Sequence, residues 1–194
     1  MRPVTAADQV GSQSLEDLFV LARTNEFEAV FDLIRPPSPS LHAAVRDPDG
    51  HTLLHWAALS DNTAAITHLL AAQVEVDARA HNMQTPLMWA TLSGHCASMR
   101  ALRKASANLE SKDSLGAFPL LLAVQHQQVL PFLLLIKWGA SLTASDCRGS
   151  SVLHWAAVKG DVRVLRLGAY FHLDFGQADK KGMLALHRAV ACNK

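Results

Sequence analysis

Apolar positions along this chain fall in short clusters separated by polar breaks. Leu53, Leu54, Trp56, Ala57 and Ala58 form one cluster, Ser60-Asp61-Asn62 interrupts, and Ile66, Leu69 and Leu70 follow at helical spacing. That pattern predicts two short helices with a break between them. The same pair returns after Ser93-Gly94-His95 and again after Gln125-His126-Gln127-Gln128, where Ala117–Val124 and Val129–Ile136 are apolar runs of eight residues each. A spanning helix needs about 20 mostly apolar residues without such a break. The pattern therefore predicts two packed helices and no membrane insertion by this segment.

The recurrence has a fixed period. Ala57, Ala90, Ala123, Ala156 and Ala189 are each 33 residues apart, and three residues before them stand Leu54, Leu87, Leu120, Leu153 and Leu186. Gly50, Met83, Gly116, Gly149 and Gly182 keep the same step, as do Asp47, Ala80, Asp113, Asp146 and Asp179. Self-similarity at such a period is the mark of a repeat architecture. Within one unit, Asp47–Gly50 has β-turn chemistry, with Gly free to take a positive φ. Thr52 stands where a hydroxyl caps a helix, and Pro86 and Pro119 follow at the first helical position, where no N–H is needed. Gly139 stops a second helix.

These residues resemble ankyrin repeats over Asp47–Lys194, with an imperfect leading unit at Leu15–Ile34. There Ala22-Arg23-Thr24-Asn25 aligns with Ala58–Asp61 at an offset of 36. The reading is an all-α ankyrin-repeat solenoid of stacked helix-turn-helix units with β-turn fingers. It divides into a disordered lead-in at 1–14, a capping repeat and loop at 15–46, and repeats at 47–79, 80–112, 113–145 and 146–178. A truncated repeat occupies 179–194, and its apolar outer face is read as either continuing in a longer polypeptide or fraying. Three departures bear on stability: Phe118 stands in a capping Thr position, Arg103 where Leu70 and Ile136 are apolar, and Gly168 inside a second helix. Gly168 predicts a short or irregular Val162–Phe171.

The chain has 194 residues, 49% apolar and 18% charged, and 18 basic against 17 acidic residues leave a net charge of +1. Such a balance lacks the basic stripe of a nucleic-acid binder. Three widely spaced cysteines, Cys96, Cys147 and Cys192, suggest neither disulfides nor a zinc knuckle and fit a cytosolic setting. Ten histidines raise a metal or thiol enzyme as one hypothesis. However, His55, His154 and His187 share one repeat phase, and the ankyrin resemblance gives that His a hydrogen bond to an adjacent turn. There is no GxSxG, GxxxxGK[ST] or HExxH. No catalytic residue, metal or cofactor is expected.

Repeat arrays present their turn tips and first-helix faces along one side. The expected partner-binding residues are His51, Trp56, Ser60, Asn62, Gln84, Trp89, Leu92, Ser93, Gln125 and His126. Trp56, Trp89 and Trp155 share a phase; each either packs between helices or offers an indole edge to a bound segment. The lining is nearly neutral, which suits an extended, uncharged peptide bound by a monomer. The texts Thr52-Leu-Leu-His-Trp-Ala-Ala58, Thr85-Pro-Leu-Met-Trp-Ala-Thr91 and Val152-Leu-His-Trp-Ala-Ala157 also resemble the ankyrin region of DHHC palmitoyltransferases of the huntingtin-interacting protein 14 type. That resemblance implies a cytosolic, Golgi-facing array that recruits substrates carrying β-branched residues and a Gln-Pro. Trp89 matches the family's pocket Trp, while Ser60 occupies the pocket Asn position, with Asn62 two residues on. The Asp-His-His-Cys motif is absent from the 194 residues. A stand-alone adaptor remains the alternative.

Overall fold

The computed structural model describes residues 12–33 and 45–193. They form eleven helices: α1 (Ser12–Arg23), α2 (Phe27–Leu33), α3 (Leu53–Leu59), α4 (Thr63–Ala71), α5 (Pro86–Leu92), α6 (Cys96–Lys104), α7 (Pro119–Gln125), α8 (Val129–Lys137), α9 (Val152–Lys159), α10 (Val162–Tyr170) and α11 (Ala185–Ala191). Among the described residues the only β pairing is an isolated bridge between Ser145 and Ser151. Helix α1 begins at Ser12, inside the stretch expected to be a lead-in; the rest of that lead-in, and most of the Arg35–Arg46 loop, lies outside the described residues. The chain divides into two compact units, one running to Ala90 and including Ala97–Asn108, the other formed by Thr91–Cys96 and the residues from Leu109 onward.

Backbone conformation repeats even where side chains do not. Among the described residues every left-handed one falls on one of three phases: 50, 83, 116, 149 and 182; 61, 94, 127, 160 and 193, with Asn25 at the offset of 36; and 73, 106, 139 and 172. Glycine is not required at each. Met83 takes φ +64° where Gly50 and Gly116 take +82° and +75°. The period is thus a property of the chain path, set by how each turn must reverse, and glycine only lowers its cost.

In the first unit α3 packs on α4, and Leu53, Leu54, Ala57 and Ala58 of the one and Ala65, Ile66 and Leu69 of the other are all buried. Asn62 caps α4 by accepting Ala65 N–H at 2.9 Å. Asp61 reaches forward and accepts Ser98 N–H at 3.1 Å and its hydroxyl at 2.7 Å. Turn tips join through the main chain, with His81 N–H donating to Asp49 O at 2.9 Å.

The second unit repeats the scheme. Cys147 N–H donates to Leu115 O at 3.1 Å and Lys180 N–H to Arg148 O at 2.9 Å. Phe118 precedes α7 without a side-chain cap, as expected, but its ring is fully buried, so burial offsets the missing cap. Helix α10 corrects the expectation drawn from Gly168: it has 9 residues, the same as α4, α6 and α8. A Cβ on Gly168 would lie 2.5 Å from Leu153 Cδ2, so glycine makes room for a buried leucine that packs with Ala157 and Ala185. In the first unit Arg103 is exposed, and Leu70 at the same phase is only half-buried, so the charge meets no core. Leu186 keeps its register yet is 70% exposed, and Val190 71%. No described helix is long and apolar enough to cross a membrane.

Candidate functional site

The turn aspartate organises each site from below. Asp47 Oδ1 accepts Asp49 N–H at 3.0 Å and His51 N–H at 2.8 Å, closing the turn. Its Oδ2 takes His51 Nδ1 at 3.0 Å and the Trp56 indole N–H at 3.3 Å. Burial alone pushes this carboxyl up, but the His51 contacts and the Asp49 N–H hold it below the ordinary carboxylate value. Because a carboxylate only accepts, His51 Nδ1 carries a proton. The ligand atoms of Asp47, Asp49 and His51 lie within 4.8 Å of one another. With Asp47 already accepting four donors, that cluster is a turn and gives no metal reading.

Above the turn, an aromatic wall assembles in the first unit. The His51 ring lies 4.5 Å from Trp89 and 5.9 Å from Trp56, and the two indoles meet edge to face at 5.2 Å. Trp56 is half-buried, whereas Trp89 is only 9% exposed. Arg23 lies over the Trp56 ring at 4.9 Å and within 3.7 Å of Asp47 Oδ2. Arg23 was not among the expected residues, yet the offset of 36 puts it at the phase of Leu59 and Leu92. Following that phase back into the leading unit finds it.

His55 ties the wall to the next turn. It is fully buried, and its Nε2 faces Gln84 O at 3.0 Å. A carbonyl only accepts, so Nε2 holds the proton and Nδ1 is left to accept Thr52 N–H at 3.1 Å and the Thr52 hydroxyl at 2.9 Å. The threonine therefore engages an imidazole, a reciprocal box with His in the place of the usual Glu or Gln. In the second unit His154 repeats this with Ser151 and with Met183 O at 2.9 Å. The structural role expected for these two histidines is the one seen.

Burial, aided by the His51 and Arg46 charges and opposed by the Gln84 bond and the Asp47 charge, drops the His55 pKa from 6.5 to about 4. The unfolded chain takes up this proton first, so the stability it supplies is whole above pH 6.5 and declines as pH falls toward 4. We expect about 2 kcal/mol to be lost at pH 5 relative to pH 7 from this group. Urea titrations of wild type and His55→Gln at the two pH values check it: the pH-dependent difference should shrink in the variant.

The remaining expected residues are placed as follows. Gln84 Oε1 accepts the Trp89 indole N–H at 2.9 Å, so Gln84 joins the wall. Ser60 donates its hydroxyl to Trp56 O at 2.9 Å. Asn62 uses its carboxamide oxygen as the α4 cap and its nitrogen on Asn25 Oδ1 at 3.0 Å. Both ends of Asn62 are thus occupied within the fold. In the second unit Leu92 O accepts Gln128 Nε2 at 3.2 Å, Ser93 and Gln125 are half-buried, and His126 is exposed. Partial burial, then the Lys159 charge, holds His126 below its ordinary pKa. Trp155 donates to Asp146 Oδ2 at 3.0 Å.

Residues 18–113 match the family model described as ankyrin repeats (3 copies). Comparison with curated proteins gives no match.

Proposed function

Starting from ankyrin repeats over residues 18–113, a family whose members serve generally as protein–protein interaction modules, we propose that this chain binds an extended, uncharged segment of a protein partner. The face it uses in the first unit is the wall of His51, Trp56 and Trp89 with Gln84 at its edge and Ser60 and Asn62 beyond. Leu92, Ser93, Gln125 and His126 are proposed contacts of the second unit. One observation carries the reading. The rings of His51, Trp56 and Trp89 pack 4.5–5.9 Å apart with both indole N–H groups already bonded inside the protein. A wall whose indole N–H groups are already bonded within the protein is rigid before any partner arrives, so little ordering cost is left to binding.

A pull-down with wild type, His51→Ala and Trp89→Ala, each checked by circular dichroism, tests this. Loss of at least tenfold in partner retention with helicity kept is the expected result. Unchanged partners would move the binding face elsewhere.

A narrower form makes this the recruiting region of a protein S-palmitoyltransferase, at a cytosolic endomembrane face. It is supported by the His-Trp-Ala phase at Trp56 and Trp155 and by the Thr85–Thr91 text alone. Titrating a synthetic peptide with β-branched residues before a Gln-Pro decides it, and no saturable binding leaves the adaptor reading.

A further inference from the structure

Repeat phase makes the second turn an exception. In three turns an aspartate carboxylate takes a donor from the helix nine residues on: Trp56 to Asp47, Trp155 to Asp146, and the Arg188 guanidinium to Asp179, its Nε at 3.0 Å. At the second turn Ala80 has no carboxylate. Its two tasks pass to carboxamides: Asn82 Oδ1 accepts Gln84 N–H at 3.0 Å, closing the turn, and Gln84 Oε1 accepts the Trp89 indole N–H at 2.9 Å.

The swap changes what the turn offers to a partner. A carboxylate has only acceptors, and Asp47 has filled its own. A carboxamide has two chemically different ends. The indole can only donate, so it fixes the Gln84 oxygen inward and forces the amino group to the other side. Among the described residues that –NH2 has no acceptor. The side chain is half-buried and its backbone is clamped on both sides, since Gln84 O accepts Ala80 N–H at 3.0 Å and His55 Nε2 at 3.0 Å. A donor aimed by three hydrogen bonds beside the Trp89 indole is preorganised. The neighbouring His51 has its Nδ1 proton on Asp47, which leaves Nε2, also without a partner among the described residues, as an acceptor when the ring is neutral.

We infer that Gln84 is a specificity-determining residue of the binding face: its amino group donates to a neutral carbonyl of an extended partner segment, while His51 Nε2 accepts an N–H from the same segment. This rests on the function proposed above. Donor and acceptor, both set against Trp89, match the alternating C=O and N–H of a peptide main chain. An acceptor-only group such as a carboxylate would satisfy Gln84 but leave His51 Nε2 facing a lone pair.

The test needs no known partner. A displayed library of random 12-mer peptides is panned on the folded chain, and selected peptides are titrated against wild type, Gln84→Glu, Gln84→Met and Trp89→Ala. Gln84→Glu keeps the acceptor for the indole and removes the donor; Gln84→Met removes the donor without adding charge. We expect both to weaken binding by at least tenfold with the melting curve of Gln84→Glu retained. The Gln84 side-chain NH2 pair in a ¹H–¹⁵N spectrum, identified by its loss in Gln84→Glu, should shift on adding peptide to wild type. Peptides that need Trp89 but bind both Gln84 variants at wild-type strength, or leave the NH2 pair unmoved, overturn this inference and spare the binding face. Selected peptides indifferent to Trp89→Ala, or no selected peptides, overturn the binding face and this inference with it.

Discussion

Replacing His55 by alanine should cost about 4 kcal/mol. The ring is fully buried, so its removal leaves a cavity where α3 packs. The Thr52 N–H and hydroxyl lose the acceptor they share at Nδ1, at 3.1 and 2.9 Å, and the Gln84 carbonyl loses one of its two donors, keeping the Ala80 N–H. Orphaning a buried donor or acceptor costs about 1–3 kcal/mol each, more than the bond contributed while formed. Denaturant unfolding of His55→Ala and His55→Gln measures this. A glutamine reaches only one of the two partners, so its midpoint should fall between wild type and alanine. Equal midpoints for His55→Ala and wild type would mean that the bridge to Gln84 carries no stability.

Gly116→Ala should cost about 3 kcal/mol, against about 1 kcal/mol for Gly182→Ala. Both glycines are left-handed, at φ +75° and +73°. That common term is modest, and Met83 bears it at φ +64°. The difference lies in what a Cβ would meet. At Gly116 it would fall 2.6 Å from Cys147 N, a main-chain atom held by its own bond to Leu115 O, while at Gly182 nothing lies within 4 Å. A side-chain tip can rotate aside; a bonded peptide nitrogen cannot without breaking the link between turns. Thermal unfolding of the two variants separates backbone preference from close approach. Similar losses would show that conformation alone sets the need for glycine.

How much of this was legible beforehand depends on which physics each feature uses. Helix pairs, turns and stops announce themselves because Asp47, Gly50, Leu54 and Ala57 each act locally and recur at one step. The wall was half legible. A shared phase marks Trp56 and Trp89, but the closeness of Trp89 to His51 joins two successive repeats and leaves no trace in either alone. Arg23 was hidden by the offset of 36, which breaks the register where it is needed. Gly168 misled because propensity treats glycine as a helix flaw, whereas its environment, the tip of Leu153, is a tertiary fact. The bond from His55 to the Gln84 carbonyl could not be seen as a pair, since a main-chain acceptor has no signature in sequence.

The fastening between turn and helix differs in kind from layer to layer. An indole meets a carboxylate at Asp47 and Asp146, a carboxamide replaces the carboxylate at Gln84, and at Asp179 the fastening is ionic, the Arg188 contact holding the acid down to about 2. At Asp113 the matching helix position is Leu122, which has no donor to give. Added electrolyte slackens an ion pair far more than a bond from an uncharged donor. Salinity therefore bears on the rungs at Asp179 and Asp47, where an arginine meets the acid, and leaves the indole bond at Asp146 and the carboxamide bond at Gln84 in place.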